Sequence, residues 1–204
     1  MMKLKDKIVL QGLFERNIVL VSGLIVTTVI VCVNTIKSGL FLIYAFSTIT
    51  FLSIMIASFL PRKIVFTLRI ILYTLIASLV YVPVAMLAQH IFSKEVVEFG
   101  IYFPLLTVNA MLVSQTEVDY FKMPKGKMLF SVIFYILGFD IVVFIFSFIR
   151  EMISFGTVNE NIVGVTLSAE SLSKPFGGFI LLGLSMAAFR FIMNIVKSWK
   201  AKSE

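Results

Sequence analysis

The sequence predicts an all-α membrane fold of six transmembrane helices, and three observations carry that expectation. Hydrophobic residues fill 59% of its 204 positions and charged residues 14%, against about 45–50% and about 25% in ordinary soluble domains. The mean hydropathy is +1.03. The apolar residues fall into runs bounded by polar or charged residues at roughly the 20-residue spacing that a bilayer demands. The Lys and Arg residues between these runs are distributed unequally between the two sides.

Taken in order, the spans are expected at about 18–33, 40–60, 64–91, 100–114, 128–149 and 176–196. The first is not a cleavable signal peptide, because Gln11, Glu15, Arg16 and Asn17 precede it and no small-residue cleavage site follows, so the chain is read as mature from Met1. The first and fourth spans are the shortest. Ser22, Gly23, Thr27 and Thr28 interrupt one, and Pro104, Thr107 and Asn109 interrupt the other. Broken segments at corresponding places point to an inverted repeat whose broken helices meet near the midplane. The expectation is therefore a single domain, 1–204, made of two inverted three-helix repeats, about 1–96 and 97–204, with broken first and fourth helices. Direct likeness between the halves is limited to Gly12-Leu13-Phe14 against Gly100-Ile101-Tyr102.

Orientation follows from the basic residues. Lys3, Lys5, Lys7, Arg16, Arg62, Lys63, Arg69, Lys122, Lys125, Lys127, Lys197, Lys200 and Lys202 fall on one side, thirteen in all, and Lys37, Lys94, Arg150 and Lys174 on the other. Glu95, Glu98, Glu151, Glu160 and Glu170 join the poorer side. Positive residues stay in the cytoplasm, so both termini of this multi-pass protein are expected inside.

Several chemistries are excluded at this stage. Cys32 and His90 are the only cysteine and histidine, so a four-ligand zinc or iron–sulfur site cannot be built from this chain alone, nor can an internal disulfide. The net charge of +7 sits at span ends instead of in one patch with interleaved aromatics, so nucleic acid is not an expected partner. There is no Gly-x-x-x-x-Gly-Lys phosphate loop, and the acids and the lone His offer no hydrolytic triad. No catalytic residue is assigned.

A further set of stretches carries a resemblance. Val9-Leu10-Gln11-Gly12-Leu13-Phe14 with Asn17, Gly100-Ile101-Tyr102-Phe103-Pro104-Leu105-Leu106-Thr107-Val108-Asn109 and Glu117 come first. Arg150-Glu151, Gly156-Thr157, Pro175, Gly177, Phe179-Ile180 and Gly183 follow. In order and spacing these resemble the RnfE/NqrD-type membrane subunits of the Rnf and Nqr ion-translocating redox complexes, over nearly the whole chain. The resemblance implies six spans as two inverted halves, an N-in topology, and a paralogous six-helix partner subunit. In that family two cysteines per subunit, one in each broken helix, join two from the partner to hold an iron–sulfur cluster. Carried over, those positions are Thr27 and Ala110, neither of which can ligate iron as a thiolate. Ser114 and Gln115 also stand where the family tends towards Gly and Arg. Cys32 lies five residues past Thr27, on a different side of the helix, and reads as a packing residue.

Asp140 and Asn109 are the candidate intramembrane functional residues. Asp140 is the one acid near the middle of a span, where a charge costs at least about 2.5 kcal/mol unless paired, hydrated or protonated. It reads either as a proton or cation site or as a structural partner of Arg190 or Asn109. Arg190 and Asn194 read as interfacial anchors, and His90 as an anchor or a group titrating near neutrality. The 21 Phe residues follow no fixed spacing and read as packing or lipid-facing bulk. Tyr102, Tyr120 and Trp199 fit an interfacial belt. Gly177-Gly178 and Gly183 permit close helix approach.

The expected function is thus an integral subunit of an Rnf/Nqr-like electron-transport complex that supports transmembrane electron transfer without iron–sulfur ligands of its own. Flavin, quinone or iron–sulfur groups would reside in partner subunits, and one version exports electrons to extracellular flavins. Size and span number equally fit the six-span substrate-binding component of an energy-coupling-factor vitamin transporter. A purely structural pseudo-subunit is a third reading.

Overall fold

The computed structural model describes residues 26–61, 64–108, 124–159, 161–162 and 170–203. Its helices are α1 (Val26–Cys32), α2 (Ile36–Ala57), α3 (Phe66–Ile91), α4 (Ser93–Phe99), α5 (Tyr102–Leu105), α6 (Lys125–Phe155) and α7 (Pro175–Ser203). Short 3-10 turns occupy Leu106–Val108 and Glu170–Ser173. A two-residue antiparallel hairpin, β1 (Thr157–Val158) and β2 (Asn161–Ile162), is the one exception to the all-helical expectation among the described residues.

α2, α3 and α6 are long and apolar enough to cross a membrane, and Pro175–Phe191 of α7 is a shorter apolar segment. At about 1.5 Å per residue the 22-residue α2 spans about 33 Å, which matches a hydrocarbon core of about 30 Å. The first and fourth expected spans fall partly on residues 18–25 and 109–114, outside the described residues. Where the fourth is described it is not one continuous helix. α5 gives way to a 3-10 turn, and Thr107 donates its hydroxyl to the Pro104 carbonyl at 2.8 Å.

Several helix boundaries have a local cause. α2 begins at Ile36, four residues before the expected start, because Thr35 and Ser38 form a capping box. The Ser38 N–H donates to Thr35 Oγ1 at 3.2 Å, and the Thr35 N–H donates to Ser38 Oγ at 2.9 Å. α3 keeps its helix through Pro83, as spanning helices commonly do. The loop expected after it is instead a break at Phe92 followed by α4. Gly100 then takes φ +47°, a left-handed value that suits glycine, and turns the chain into α5. α6 extends the expected fifth span at both ends and closes on Gly156, whose φ of +65° and N–H to the Met152 carbonyl form a left-handed C-cap.

α2 is the central element, packed against α3 on one side and α6 on the other. Its approach to α6 depends on Gly39, where a Cβ would lie 2.6 Å from both Cβ and Oγ of Ser147. Further along the same seam, the Phe46 and Phe139 rings lie 3.9 Å apart. Toward α4 and α5, Phe41 packs its ring against Phe99, Phe103 and Phe92 at 4.6, 5.0 and 5.7 Å between centroids. Apart from Phe92, which is partly buried against them, these phenylalanines are core, in keeping with the packing role expected for part of the Phe set. α3 keeps Leu68, Ile71, Leu75, Leu79, Val82 and Met86 exposed. An apolar stripe of this kind faces lipid or a neighbouring protein in a membrane.

Candidate functional site

The C-terminal part of α6 carries Arg150 and Glu151, which are expected among the charges outside the fifth span. The structure corrects that placement. Both lie inside the helix, 0% and 1% exposed, because the helix continues to Phe155 and turns its final polar residues into the protein.

The five N–H groups of Arg150 meet five backbone carbonyls. Nη1 donates to Ile30 at 2.6 Å and Val33 at 2.8 Å, Nε to Leu172 at 3.0 Å, and Nη2 to Ser173 at 2.9 Å and Lys174 at 3.2 Å. A guanidinium has five donors in a fixed fork and no acceptor, so this environment uses its full capacity. Ile30 and Val33 supply orphan carbonyls at the C-terminal end of α1, where the helix dipole is negative. Leu172 to Lys174 form the turn that leads into α7, which starts on Pro175.

Glu151 serves the opposite pole. Its Oε2 accepts the first N–H of α2, from Ile36, at 2.6 Å, and Oε1 accepts the Thr157 hydroxyl at 3.2 Å. An anion at a helix N-terminus and a cation at a helix C-terminus are each favourable. Adjacent residues of opposite charge therefore bind both sides of the α1–α2 corner at once. Gly178 and Gly177 complete the joint. A Cβ on Gly178 would stand 3.0 Å from Arg150 Nη2, and one on Gly177 would stand 2.5 Å from Leu172 Cα. Gly178 is thus approached closely by side chains of α1 and α6, Gly177 only by the turn that precedes its own helix, and a Cβ on Gly183 would meet nothing within 4 Å among the described residues.

Thr27 lies exposed on α1. Ala110 and Asn109 are outside the described residues, as are Glu117, Ser114 and Gln115. Cys32 is half-buried against the hydrophobic core, in line with a packing role. At the two positions that the resemblance assigns to cluster thiolates, Thr27 offers a hydroxyl and Ala110 a methyl, so the residues present do not fit the cluster that the resemblance implies. Among the described residues no group of three or more His, Cys, Asp or Glu could hold a metal ion.

Asp140 has a partner that the sequence did not indicate. The Ser47 hydroxyl of α2 donates to Asp140 Oδ1 at 2.7 Å. Arg190, offered as its structural partner, is exposed on α7, as are Asn194 on the same helix and His90 at the end of α3. Ser47 also lines a groove of about 320 Å³ with Thr48, Phe51, Leu52, Ile133 and Ile136. A second groove, of about 390 Å³ between α6 and α7, is lined mainly by Val142, Ile145, Phe146, Leu182 and Phe189.

Ser47, Gly39 and Ser147 escaped the sequence reading, since small and hydroxylated residues within an apolar run carry no marker of their position. The Thr35-x-x-Ser38 spacing was a usable signal for the start of α2. Gly156, the first glycine after the fifth span, was one for the end of α6.

Comparison with known proteins gives the chain its family. Residues 6–196 match the family model described as Rnf-Nqr subunit, membrane protein. The chain is 26% identical to the E-type subunit of the ion-translocating oxidoreductase complex of Pseudoalteromonas atlantica, over 87% of this chain and 83% of that one. It is 30% identical to the protein of the same name from Buchnera aphidicola, over 71% and 70%. Identity to the Citrobacter koseri protein of that name is 28%, over 100% and 94%. The stretches singled out above, Arg150-Glu151 with Gly156-Thr157 and Pro175 with Gly177, are the ones that meet in the buried joint, and with nearly the whole chain matched it belongs to the Rnf-Nqr family of membrane subunits.

Proposed function

We propose that this chain is the six-span subunit of an ion-translocating electron-transfer complex and that it assists electron movement across the membrane without holding an iron–sulfur cluster. The observation that carries this reading is the pairing of a family match over residues 6–196 with Thr27 and Ala110 at the family's cysteine positions. The scaffold is kept and the metal ligands are not. Relatives named as components of an ion-translocating oxidoreductase complex support the assignment to a larger assembly. The proposed partners are a paralogous six-helix subunit and redox subunits that carry the flavin, quinone or iron–sulfur groups. Two inverted halves, both termini in the cytoplasm and residence in a prokaryotic cytoplasmic membrane complete the reading. Extracellular flavins are the proposed electron acceptors in its export version.

Family membership favours this function over a vitamin-uptake component, which size and span number alone had allowed. The purified complex is expected to contain this chain with a second six-helix subunit and to show no iron–sulfur signal in electron paramagnetic resonance attributable to this chain. Iron bound in a fixed ratio to the chain and lost in Cys32→Ala would overturn the cluster-free reading. A vitamin recovered with the isolated chain would overturn the redox one.

A further inference from the structure

Asp140 is the midpoint of α6, with fifteen residues of helix on either side. Ser47, its hydrogen-bond partner, lies near the midpoint of α2. At about 1.5 Å per residue both ends of α6 are about 22 Å away, so the pair sits at the depth where a bilayer is most apolar. The carboxyl receives one hydroxyl donor, and its second oxygen has no hydrogen bond or ion pair among the described residues.

The side of α6 that bears Asp140 is also the more open one. Ile133, Leu137 and Phe144 share it and are all exposed, whereas Phe139 and Val143, on the α2 side, are buried. Ser47 links the carboxyl to the groove lined by Thr48, Phe51, Leu52, Ile133 and Ile136.

Among the described residues no fixed charge is positioned to hold Asp140 ionised. On α2 the titratable groups are Lys37, ten residues before Ser47, and Tyr44, whose ring packs against Phe92. On α6 itself, Arg150 and Glu151 lie ten and eleven residues on, about 15 Å along the axis. Arg150 is committed to its five carbonyls and Glu151 to Ile36 and Thr157. Lys125 and Lys127 lie at the far end of α6, and Tyr135 is on its buried side. α7, with Arg190, meets α6 through Val142, Ile145, Phe146 and Ile149, roughly the opposite face. Glu170 belongs to the 3-10 turn beside Arg150.

From this geometry we propose that Asp140, with Ser47, forms a proton-binding site at mid-membrane depth that is open to lipid through the α2–α6 groove. The proton joins the carboxylate to give a neutral acid, and Ser47 stabilises the ionised form when the proton leaves. A proton suits the site better than a hard metal cation, which takes six or more oxygens, because the carboxylate, Ser47 and Thr48 supply too few. This site goes beyond the electron-transfer function and does not depend on it.

A hydrophobic carbodiimide tests the proposal directly in membranes that contain the full-length chain. The carboxyl oxygen bonds to the central carbon of dicyclohexylcarbodiimide and the carboxyl proton passes to a reagent nitrogen. An oxygen-to-nitrogen acyl shift then leaves a stable N-acylurea that carries the whole reagent. Trypsin cleavage after Lys127 and Arg150 releases residues 128–150, in which Asp140 is the sole acid, so mass spectrometry assigns the adduct without ambiguity.

The labelling rate is expected to fall about tenfold per pH unit above its midpoint, as for one titrating proton. Ser47→Ala is expected to raise labelling at fixed alkaline pH several-fold, and Ser47→Thr to retain the original rate. Ser47→Thr also controls for misfolding. Absence of the adduct in membranes where the chain is intact, or a rate independent of pH, would overturn the proposal. Suppression by sodium at constant pH would replace the proton with an alkali cation and overturn it in this form. None of these outcomes bears on the iron content of the complex, so this proposal and the electron-transfer reading stand or fall separately.

Discussion

Arg150→Ala is expected to remove the chain from the membrane or to lower its stability by about 3–5 kcal/mol, the scale seen when one partner of a buried charged arrangement is deleted. The substitution takes away five donors at once and leaves the carbonyls of Ile30, Val33, Leu172, Ser173 and Lys174 without them. It also opens a cavity between α6 and Gly178. Arg150→Lys should recover only part of the loss, because an ammonium has three donors on a flexible stem and cannot span two loops. Exposed Arg190 supplies the control, since Arg190→Ala should shift stability by no more than about 0.5 kcal/mol. Thermal unfolding of the detergent-purified protein, with immunoblots of membrane fractions, reads both. Equal stability of Arg150→Ala and Arg190→Ala would show that the five hydrogen bonds do not hold the joint.

The second large effect is expected at the α2–α6 crossing. Gly39→Val places a branched side chain where even a Cβ would lie 2.6 Å from Ser147, so the helices must part. Overpacking of this kind costs about 1–3 kcal/mol or more. Ser147→Gly in the same chain should restore most of the loss, with a coupling between the two sites of about 0.5–3 kcal/mol. Gly126→Val and Gly183→Val are the matched controls, because a Cβ at either position meets nothing within 4 Å among the described residues. Additive losses at Gly39 and Ser147 would mean that the crossing is not set by this contact.

Composition and charge placement made the membrane class readable, since no arrangement of this much apolar surface suits water. The expected second, third and fifth spans correspond to α2, α3 and α6 for a simple reason. Each is a long apolar run, and backbone groups in lipid must satisfy themselves within a helix. The ends were less accessible. Arg150 and Glu151 look like loop charges in a linear reading, because hydropathy counts a charge as exposed and cannot know that five carbonyls lie opposite it. α4 was missed because Ser93-Lys94-Glu95 reads as a polar connection. The motif residues were visible as a resemblance, but their convergence was not. Ile30 and Arg150 are 120 positions apart, and spacing alone gives no reason to bring them together. Ser47 and Asp140, 93 positions apart, present the same problem.

The 120-residue reach between Ile30 and Arg150 also bears on how the chain is made. A ribosome working at roughly 5–20 residues per second needs on the order of 10 s to travel from one to the other. Both sites leave the exit tunnel with the same lag, so the corner between α1 and α2 emerges ahead of the guanidinium and carboxylate that close it by that same interval. The nascent N-terminal half therefore waits in an unlatched state, exposed to membrane-bound proteases and insertion factors, until the end of α6 emerges. Truncations before Arg150 should then be degraded far faster than truncations just after Gly178, which makes this single turn a timing point in biogenesis.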